Sequence, residues 1–284
     1  MLPDAGPPLT WLYVPGDRPD RFAKALASEA DHVILDLEDS VAPSHKEMAR
    51  EAIRAFLEDA QPKPVQVRIN GLDSPWAADD LAAIASSPGL AGVRLPKVAS
   101  RSDVRSVAEA LPADGSVRIH VLIESARGLE AVFQIATAHH LVASIALGEA
   151  DLRSELNVAD DRGLIWARSR IVVAARAAGL PAPAMSVYTD LDDDDGLAAS
   201  CREGRSLGLL GRAAIHPRQL PVIVDAFLPS PAEVADASLL LESLATARKA
   251  GRGSVVLPNG RFVDQAMAKR ATLLIQLDAR RRTR

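Results

Sequence analysis

Short apolar runs alternate with stretches whose apolar residues recur every three or four positions over roughly the first 220 residues. The short runs are apolar at nearly every position and are bounded by turn-forming residues, which is typical of parallel strands buried on both faces. Eight such strands are predicted, at Leu9–Val14, His32–Leu37, Val65–Ile69, Gly92–Leu95, Val117–Ile123, Leu141–Leu147, Ala184–Val187 and Ala213–His216. Eight strands with interleaved helices predict an α/β fold, a TIM (β/α)8 barrel.

The stretches between the strands carry helix start and stop signals. Ser44 and Glu47 form a capping-box pattern at the start of a helix over 44–57, and Gly179 stops a long helix over 161–178. A single helix is predicted for residues 127–138. A doubly wound open sheet is the alternative fold, but no Gly-x-Gly-x-x-Gly motif follows the first strand.

The pattern changes after residue 228, so we predict a barrel domain over residues 1–228 and a C-terminal extension over 229–284. The extension has a long helix over 232–250, then two short extended runs around Pro258-Asn259-Gly260 that predict a hairpin, and a last helix that Asp264 opens. It ends in a basic tail over 280–284. Because an isolated hairpin is marginal in water, we expect it to pack on the barrel or on a neighbouring subunit.

Composition narrows the class of protein. The chain has 284 residues, 48% of them hydrophobic, and a net charge of −4 with acids and bases interspersed, which argues against a nucleic-acid surface. A single cysteine, Cys201, excludes a disulfide framework. No signal-peptide pattern precedes Pro8, and no run reaches the roughly 20 apolar residues of a membrane span. We therefore predict a soluble cytoplasmic protein.

Two carboxylates follow the fifth and sixth predicted strands. Glu124 comes directly after 117–123, and Asp151 follows 141–147 at the expected end of that strand. Neighbouring parallel strands lie about 5 Å apart, so the two side chains can converge on one point. Hard oxygen ligands without histidine or cysteine favour Mg²⁺ completed by water and substrate. The alternative is that Glu124 caps the next helix and Asp151 begins a loop.

Other strand ends carry charged groups where barrel enzymes place their active sites. Arg68 is predicted to bind a substrate carboxylate through two hydrogen bonds from its planar guanidinium group. The alternative is an ion pair with Asp36 or Glu38, and both interpretations can hold together. Asp36 and Glu38 lie on the same side of their strand and are predicted to accept from metal-bound waters or from Arg68. His216 precedes a proline and is expected to shape a loop, whereas Ser125 and Cys201 lack a base partner, so nucleophilic catalysis is not expected.

Basic residues follow the first strand. Arg18, Arg21 and Lys24 are spaced as on one helix near its N-terminus, beyond Tyr13. Such a group is a candidate seat for phosphates, although a charged helix face is more often simply solvated.

These stretches together resemble the citrate lyase β-subunit branch of the HpcH/HpaI aldolase superfamily, which also holds malyl-CoA and citramalyl-CoA lyases. The resemblance covers nearly the whole chain. It rests on seven stretches in the same order: Tyr13-Val14-Pro15-Gly16-Asp17-Arg18-Pro19, Ile34-Leu35-Asp36-Leu37-Glu38-Asp39-Ser40-Val41-Ala42-Pro43, Val67-Arg68-Ile69-Asn70-Gly71, Leu95-Pro96-Lys97, Ile123-Glu124-Ser125-Ala126-Arg127-Gly128, Gly148-Glu149-Ala150-Asp151-Leu152 and Ala214-Ile215-His216-Pro217.

The resemblance implies a TIM barrel that assembles as a homotrimer and uses Mg²⁺. By the same resemblance, Glu124 and Asp151 hold the metal and also contact the substrate, and Arg68 binds the carboxylate of a 2-keto acid. Tyr13, Arg18 and Lys24 line the path of CoA or of a carrier arm.

The end of the chain resembles the lid of these enzymes, in the segment Gly260-Arg261-Phe262-Val263-Asp264. The resemblance makes Asp264 an acid/base that reaches into an adjacent subunit. The alternative is that Asp264 only caps the last helix, because aspartate is a favoured N-cap and a helix is predicted directly after it.

Two departures from the family pattern are visible. Arg212 stands where related lyases commonly have lysine, which keeps the charge. Glu38 is followed by Asp39, whereas the hydroxy-acid aldolases of the superfamily have a Glu-His pair, so a sugar-acid aldolase is disfavoured.

The function expected from the resemblance is a Mg²⁺-dependent carbon–carbon lyase that cleaves or forms a 3-hydroxyacyl thioester of the citryl-, malyl- or citramalyl-CoA type. The products would be an acyl thioester and a 2-keto acid such as oxaloacetate, pyruvate or glyoxylate. Arg68, Asp264, Asp36 and Glu38 are the predicted catalytic residues. A citrate lyase subunit that acts only with a carrier protein, or a malyl-CoA thioesterase, is the alternative.

Overall fold

A parallel sheet of seven strands forms the first part of the molecule, whose computed structural model describes residues 6–282. The strands are β1 Thr10–Pro15, β2 His32–Asp36, β3 Val65–Arg68, β4 Leu90–Leu95, β5 Arg118–Ile123, β6 Val142–Leu147 and β7 Arg212–Ala214. Their order in the sheet is β6-β5-β4-β3-β2-β1-β7. The sheet curls with its helices into a TIM-barrel fold, so the predicted fold class is confirmed.

The register explains why these runs become strands. Leu35 of β2 pairs with Val67, Val67 with Val93, and Val93 with Ile119, so a row of apolar side chains crosses four neighbouring strands. All four side chains are fully buried. Strands buried in this way need apolar residues at nearly every position, which is the pattern that the sequence shows.

The seam between β6 and β7 differs from the prediction. The strand expected at 184–187 is reduced to a single bridge, in which Met185 pairs with Arg212. Ser186 joins this segment to β6, because its Oγ donates to Leu147 O at 2.6 Å and accepts from Glu149 N at 3.0 Å. On the β7 side Met185 is bonded through both its N–H and its C=O, whereas the link to β6 is made by the Ser186 side chain.

Twelve α-helices occur among residues 6–282. They are α1 Phe22–Ala27, α2 Lys46–Phe56, α3 Ala77–Ile84, α4 Arg101–Ala110, α5 Ala126–Glu130, α6 Val132–Ala136, α7 Glu149–Glu155, α8 Ile165–Ala177, α9 Asp194–Ser206, α10 Gln219–Phe227, α11 Pro231–Lys249 and α12 Gln265–Arg282. Short 3₁₀ turns precede α1, α2 and α8, at Pro19–Arg21, Pro43–His45 and Asp161–Leu164.

Several predicted helix ends are wrong. Ser44 does not cap α2, because Pro43 starts a 3₁₀ turn one residue earlier and α2 begins only at Lys46. Capping boxes form instead at Ser100 with Asp103 and at Ser230 with Glu233. The helix predicted over 127–138 is two short helices, α5 and α6, and α10 was not predicted.

The chain divides into two compact units. One contains residues 9–226, and the other contains residues 227–282 together with residues 6–8. In the second unit Arg280 donates to Pro7 O at 2.7 Å, which attaches the start of the described chain to α12. Residues 1–5 and 283–284 lie outside the described part, including the last residues of the predicted basic tail.

The hairpin of the second unit, β8 Ser254–Val256 and β9 Phe262–Asp264, has its own core. Leu257 and Val263 are buried in a cluster with Leu240 and Leu244 of α11 and with residues of α12. The hairpin is therefore not isolated, because α11 and α12 cover its apolar face. That the extension packs on the barrel or on a neighbouring subunit stays a prediction. Among the described helices, none has the length and apolar character that a membrane span requires.

Candidate active site

A cavity of about 830 Å³ opens among the carboxyl ends of the strands in the first unit. Pro15, Arg68, Leu122 and Leu147, from the last parts of β1, β3, β5 and β6, lie in its wall. Its size is within the range of pockets that enclose a small organic ligand. This is the end of the barrel at which the sequence predicted the active site.

Arg68 lies in the cavity wall, and two carboxylates hold its guanidinium group. Nε and Nη2 donate to the two oxygens of Asp36 at 2.6 and 2.7 Å, and Nη1 lies 2.9 Å from Glu38 Oε2. The predicted ion pair is therefore present. Nη1 also lies 3.5 Å from the exposed Asp39, and Nη2 keeps one hydrogen, so the group can still donate to a substrate carboxylate.

The pKa values of the two acids are shifted in opposite directions. Burial alone would raise the pKa of Asp36, but the charge and hydrogen bonds of Arg68, with donors from Ser40 and the Glu38 backbone, hold it below its usual value. The pKa of Glu38 is raised, because its burial outweighs the ion pairs with Arg68 and Lys97. Asp36 is the fixed anion of the pair, and Glu38 is the one that can take up a proton.

Tyr13 forms part of the cavity floor beneath two cations. The Arg68 guanidinium lies 5.1 Å from the centre of its ring, and that of Arg94 lies at 5.9 Å. Burial raises the pKa of the Tyr13 hydroxyl and outweighs both positive charges. The predicted substrate-contacting residues Tyr13 and Arg68 thus share one surface.

Glu124 projects from the end of β5 and is buried. Its Oε2 accepts from Lys97 N at 3.1 Å, and a Cβ at position 148 would collide with its carboxylate, so Gly148 makes room for it. Burial, together with the negative charges of Glu38 and Asp151, raises the pKa of Glu124 to about 7. Too little positive charge lies near Glu124 to stabilise its ionised form, so the neutral form is favoured up to a higher pH than usual.

Asp151 lies in the same cavity wall but not at a strand end. β6 stops at Leu147, and Asp151 falls in the first turn of α7, so that part of the prediction is wrong. Gly148 follows the strand as the N-cap residue of α7, so Asp151 is the third residue of that helix. The charge of Asp151 still acts on Glu124, so the two carboxylates are brought together.

A divalent cation fits this pair. No group of three or more histidine, cysteine or acidic side chains in residues 6–282 is arranged as a metal site. Mg²⁺, however, is usually held by only one or two carboxylates, with water and substrate oxygens completing its shell. A cation beside Glu124 and Asp151 would relieve the repulsion that raises the pKa of Glu124.

Two lysines support the loops around the site, and the sequence did not indicate this role for either. Lys46 on α2 is buried and donates at 2.7 Å to Leu37 O, Glu38 O and Asn70 Oδ1, which fixes the chain after β2. Lys97 has a left-handed backbone, with φ of 55°, and its Nζ lies 2.9 Å from Glu38 Oε1. A lysine on a helix is normally exposed, so no sequence pattern identified Lys46 as a buried residue.

A second polar region of the cavity was also missed. Arg168 donates at 2.8 Å to both oxygens of Glu149 and at 2.9 Å to Asp161, which also pairs with Arg153. Arg212 lies in the same wall beside Ser200. Arg94 interrupts the apolar run of β4, and a charge within a buried strand is the signal that could have identified it. Arg212 begins β7, and the sequence pointed to it only through the family pattern.

Arg18 and Lys24 are not brought into the cavity. Both are exposed, and Arg18 pairs with Asp20 at 3.0 Å. Arg21 does lie in the cavity wall. The phosphate-binding role of Arg18 and Lys24 stays a prediction.

Asp264 belongs to the second unit. It ends β9, and its Oδ1 accepts from Ala266 N at 3.0 Å, as a residue capping α12 does. Its acid/base role stays a prediction. In the first unit, His216 accepts from Arg218 N through Nδ1 at 3.2 Å, which agrees with the loop role expected for it.

Comparison with known proteins identifies the family. The HpcH/HpaI aldolase/citrate lyase family model matches residues 9–217. The L-malyl-CoA/beta-methylmalyl-CoA lyase of Cereibacter sphaeroides is 34% identical, over 96% of this chain and 95% of that protein. The (3S)-malyl-CoA thioesterase of the same species is 36% identical, over 93% of this chain and 92% of that one.

A solved structure extends the likeness to three dimensions. The protein CitE from Mycobacterium tuberculosis, in complex with magnesium, acetoacetate and coenzyme A, is 34% identical with a TM-score of 0.80. The match covers 96% of this chain and 98% of that one. The citrate lyase beta subunit from the same organism, complexed with oxaloacetate and magnesium, is 35% identical with a TM-score of 0.68, over 79% and 98% of the two chains. The chain therefore belongs to the HpcH/HpaI aldolase/citrate lyase family.

Proposed function

We propose that this protein is a Mg²⁺-dependent carbon–carbon lyase that splits a 3-hydroxyacyl-CoA thioester into an acyl-CoA and a 2-oxo acid. The observation that carries the proposal is the single cavity whose wall contains Glu124 and Asp151 together with Arg68, which lies against the Tyr13 ring. Relatives of this family are named malyl-CoA lyases, and solved relatives contain magnesium with oxaloacetate or with acetoacetate and coenzyme A. The substrate partners are accordingly a CoA thioester and a 2-oxo acid.

Different side chains of the cavity have different roles in the proposed reaction. Arg68, held in place by Asp36, binds the carboxylate that becomes part of the 2-oxo acid through the hydrogen left on Nη2. The Tyr13 ring sets the floor beneath it. Glu38, buried with a raised pKa behind Arg68, can hold or release a proton as charge shifts in the cavity.

Glu124 and Asp151 would hold the metal. When bound, Mg²⁺ supplies Lewis acidity that stabilises the alkoxide of the 3-hydroxyl and the developing carbonyl. The proton removed from the hydroxyl and the proton added to the acyl-CoA carbon need an acid/base, and Asp264 is our proposal for that group.

The metal site is tested by titrating Mg²⁺ into the metal-free protein in a calorimeter. Glu124→Gln and Asp151→Asn should each weaken Mg²⁺ binding at least about tenfold, because each removes one of two anionic ligands. Glu130→Gln, which alters an exposed acid on α5, is the matched control and should bind as the wild type does. Wild-type affinity in both ligand variants would place the metal elsewhere.

Two other functions have support from the relatives. The thioesterase relative is as similar to this chain as the lyase is, and the citrate lyase beta subunit is named as part of a larger enzyme. Incubating the protein with Mg²⁺ and malyl-, citramalyl- and citryl-CoA separates the cases. Turnover only after a carrier protein is added would establish the subunit function instead.

We also propose a homotrimer in the cytoplasm. Support for assembly comes from α8, which exposes 58% of Trp166 and 60% of Val173, two turns apart on one helix face. Light scattering should give three times the mass of one chain, and Trp166→Glu should lower that mass if this face is an interface. A single-chain mass for the wild type would reject the trimer.

A further inference from the structure

Asp151 depends on α7 for its position. Its carboxylate lies in the cavity wall, but within residues 6–282 that carboxylate makes no hydrogen bond or ion pair. α7 has seven residues, Glu149–Glu155, of which Leu152 alone is buried. A helix of two turns is not stable by itself in water. Contacts from outside the helix must therefore hold α7, and Asp151 with it.

Ion pairs from two successive turns of α7 supply those contacts. Arg168 donates from Nε and Nη2 to the two oxygens of Glu149, the first residue of α7, at 2.8 Å each. Its Nη2 also donates to Asp161 Oδ2 at 2.9 Å. Asp161 Oδ1 in turn accepts from Arg153 Nη2, one turn further along α7, at 2.6 Å. Asp151 lies between Glu149 and Arg153 in the chain, so one charged network holds the part of α7 that carries it.

Arg168 is the fixed member of this network. It lies in the first turn of α8, a helix with its own buried apolar residues, and its side chain is 2% exposed. Single hydrogen bonds from Glu149 N to Ser186 Oγ and from Ala126 N to Glu155 Oε2 also reach α7. Arg168 instead makes two parallel bonds to one carboxylate, and such a pair fixes orientation as well as distance. The position of α8 is thereby transmitted to α7.

We propose that Arg168 is a positioning residue for the metal: through Glu149 and α7 it holds the Asp151 carboxylate where Asp151 and Glu124 can share one divalent cation. This role rests on the metal site of the proposed function and deepens it. Arg168 touches neither metal nor substrate in this role. By charge alone, loss of a nearby cation would strengthen Mg²⁺ binding. Loss of positioning weakens it, so the sign of the change separates the two effects.

The first test is Mg²⁺ binding to the metal-free protein in a calorimeter. Arg168→Met should weaken binding about 10- to 100-fold, as loss of a group that supports a metal ligand does. Arg168→Lys keeps the charge but not the two parallel bonds, so its affinity should lie between that of Arg168→Met and that of the wild type. Unchanged or tighter binding in Arg168→Met overturns the proposal.

Double variants show whether the effect passes through Asp151. In an Asp151→Asn background, Arg168→Met should change Mg²⁺ affinity little further, because the carboxylate that it positions is gone. In a Glu124→Gln background, Arg168→Met should keep most of its effect. Equal effects in the two backgrounds would mean that Arg168 supports the cavity as a whole, which overturns the proposed role.

Hydrogen exchange in the metal-free protein gives a second readout. The amides of α7 should exchange faster in Arg168→Met, whereas those of α8 should not. Faster exchange in α7 together with wild-type Mg²⁺ affinity would make the network structural only. Arg162→Met is the matched control, because it removes an arginine that is 86% exposed from the same 3₁₀ turn as Asp161, and it should bind Mg²⁺ as the wild type does.

Binding and turnover together separate the role of Arg168 from the proposed function. If the wild type binds Mg²⁺ but cleaves no thioester, the proposed function is wrong, and the binding series still decides the role of Arg168. If the wild type binds no Mg²⁺, both are wrong. If Arg168→Met does not fold, Arg168→Lys and Arg153→Met, which breaks the same network at a half-buried position, replace it. Wild-type Mg²⁺ affinity in both would overturn the proposal.

Discussion

Glu124 is the residue whose state depends most on what the cavity contains. It is buried, it faces the charges of Glu38 and Asp151, and its pKa is raised to about 7. In a peptide the same group would titrate near 4.5. The folded protein therefore binds a proton more tightly than the unfolded chain does, until a cation replaces that proton.

This makes the stability of the metal-free protein depend on pH. Because the folded pKa is raised, the stabilisation from protonated Glu124 is complete below about pH 4.5 and is lost as pH rises through about 7. The loss amounts to about 3 kcal/mol. Glu124→Gln stays neutral and avoids it, so its free energy of unfolding relative to the wild type should increase across this window.

Urea unfolding in EDTA at several pH values between about 4.5 and 8 measures the difference. Mg²⁺ should reverse it above pH 7, because it binds the ionised acid of the wild type. A difference between the two proteins that is constant with pH would show that Glu124 is not strained by its surroundings.

Asp36 gives a second prediction at the residue scale. It is 1% exposed and accepts both Nε and Nη2 of Arg68, whose side chain is 14% exposed. Asp36→Asn leaves a buried guanidinium without its main counter-ion and should cost about 3–5 kcal/mol in the free energy of unfolding. Urea unfolding measures this cost.

The matched control for Asp36 is Glu51→Gln, which alters an equally close but exposed pair with Arg54 and should change stability little. If Asp36→Asn were no more destabilising than Glu51→Gln, the Asp36 pair would not be what positions Arg68.

At the scale of elements, the loop after β4 connects two parts of the site. Lys97 begins this loop with φ of 55°, its backbone N–H donates to Glu124, and its Nζ pairs with Glu38. A side chain in this conformation is strained by its own Cβ. Such strain persists where neighbouring contacts fix the backbone, and here the contacts are the two buried acids.

Two substitutions separate the backbone from the charge. Lys97→Gly and Lys97→Ala both remove the ammonium group, but only alanine keeps the Cβ, so Lys97→Ala should be less stable by roughly 1 kcal/mol. In the interior of α9 the order should reverse, with Arg202→Gly less stable than Arg202→Ala by a similar amount. Equal stability of the two Lys97 variants in urea would show that this backbone is not strained.

The elements also show how far the sequence could predict the structure. Strands with a continuous buried apolar run, such as β2 and β5, were located within one or two residues. The strand predicted at 184–187 was wrong, because this segment is linked to β6 through the side chain of Ser186 and pairs with β7 at one bridge only. The predicted helix starts were wrong where a 3₁₀ turn forms in place of a side-chain cap, as at Pro43 and Ser44.

For the site, the sequence was informative where a charged residue stands at a strand end. Arg68, Asp36, Glu38 and Glu124 were found in this way, and the structure brings them together. Asp151 was placed near Glu124 although its element was wrong. Lys46 and Arg168 could not be found, because on a helix the residue type does not tell which face is buried.

At the scale of the whole molecule, the role of Asp264 is open to a direct test. It lies in the second unit, where its carboxylate accepts from Ala266 N beside α12. Asn caps a helix about as well as Asp does, but it cannot exchange a proton. Asp264→Asn should therefore leave the melting temperature nearly unchanged and lower turnover about 10²- to 10⁴-fold.

Asp264→Ala is the companion variant, which should also lose about 1 kcal/mol of stability through the missing cap. Wild-type turnover in Asp264→Asn would make Asp264 a cap alone. Glu38, with its raised pKa, would then be the next candidate for the acid/base.

The central claim is that the cavity breaks a carbon–carbon bond, and the products of one reaction test it most directly. Purified protein is incubated with Mg²⁺ and each of malyl-CoA, citramalyl-CoA and citryl-CoA, and all products are quantified by mass spectrometry. We expect an acyl-CoA and a 2-oxo acid in equal amounts from at least one thioester, with EDTA or Glu124→Gln abolishing both. Free CoA with the intact hydroxy acid, and no 2-oxo acid, would contradict the account and identify a thioesterase.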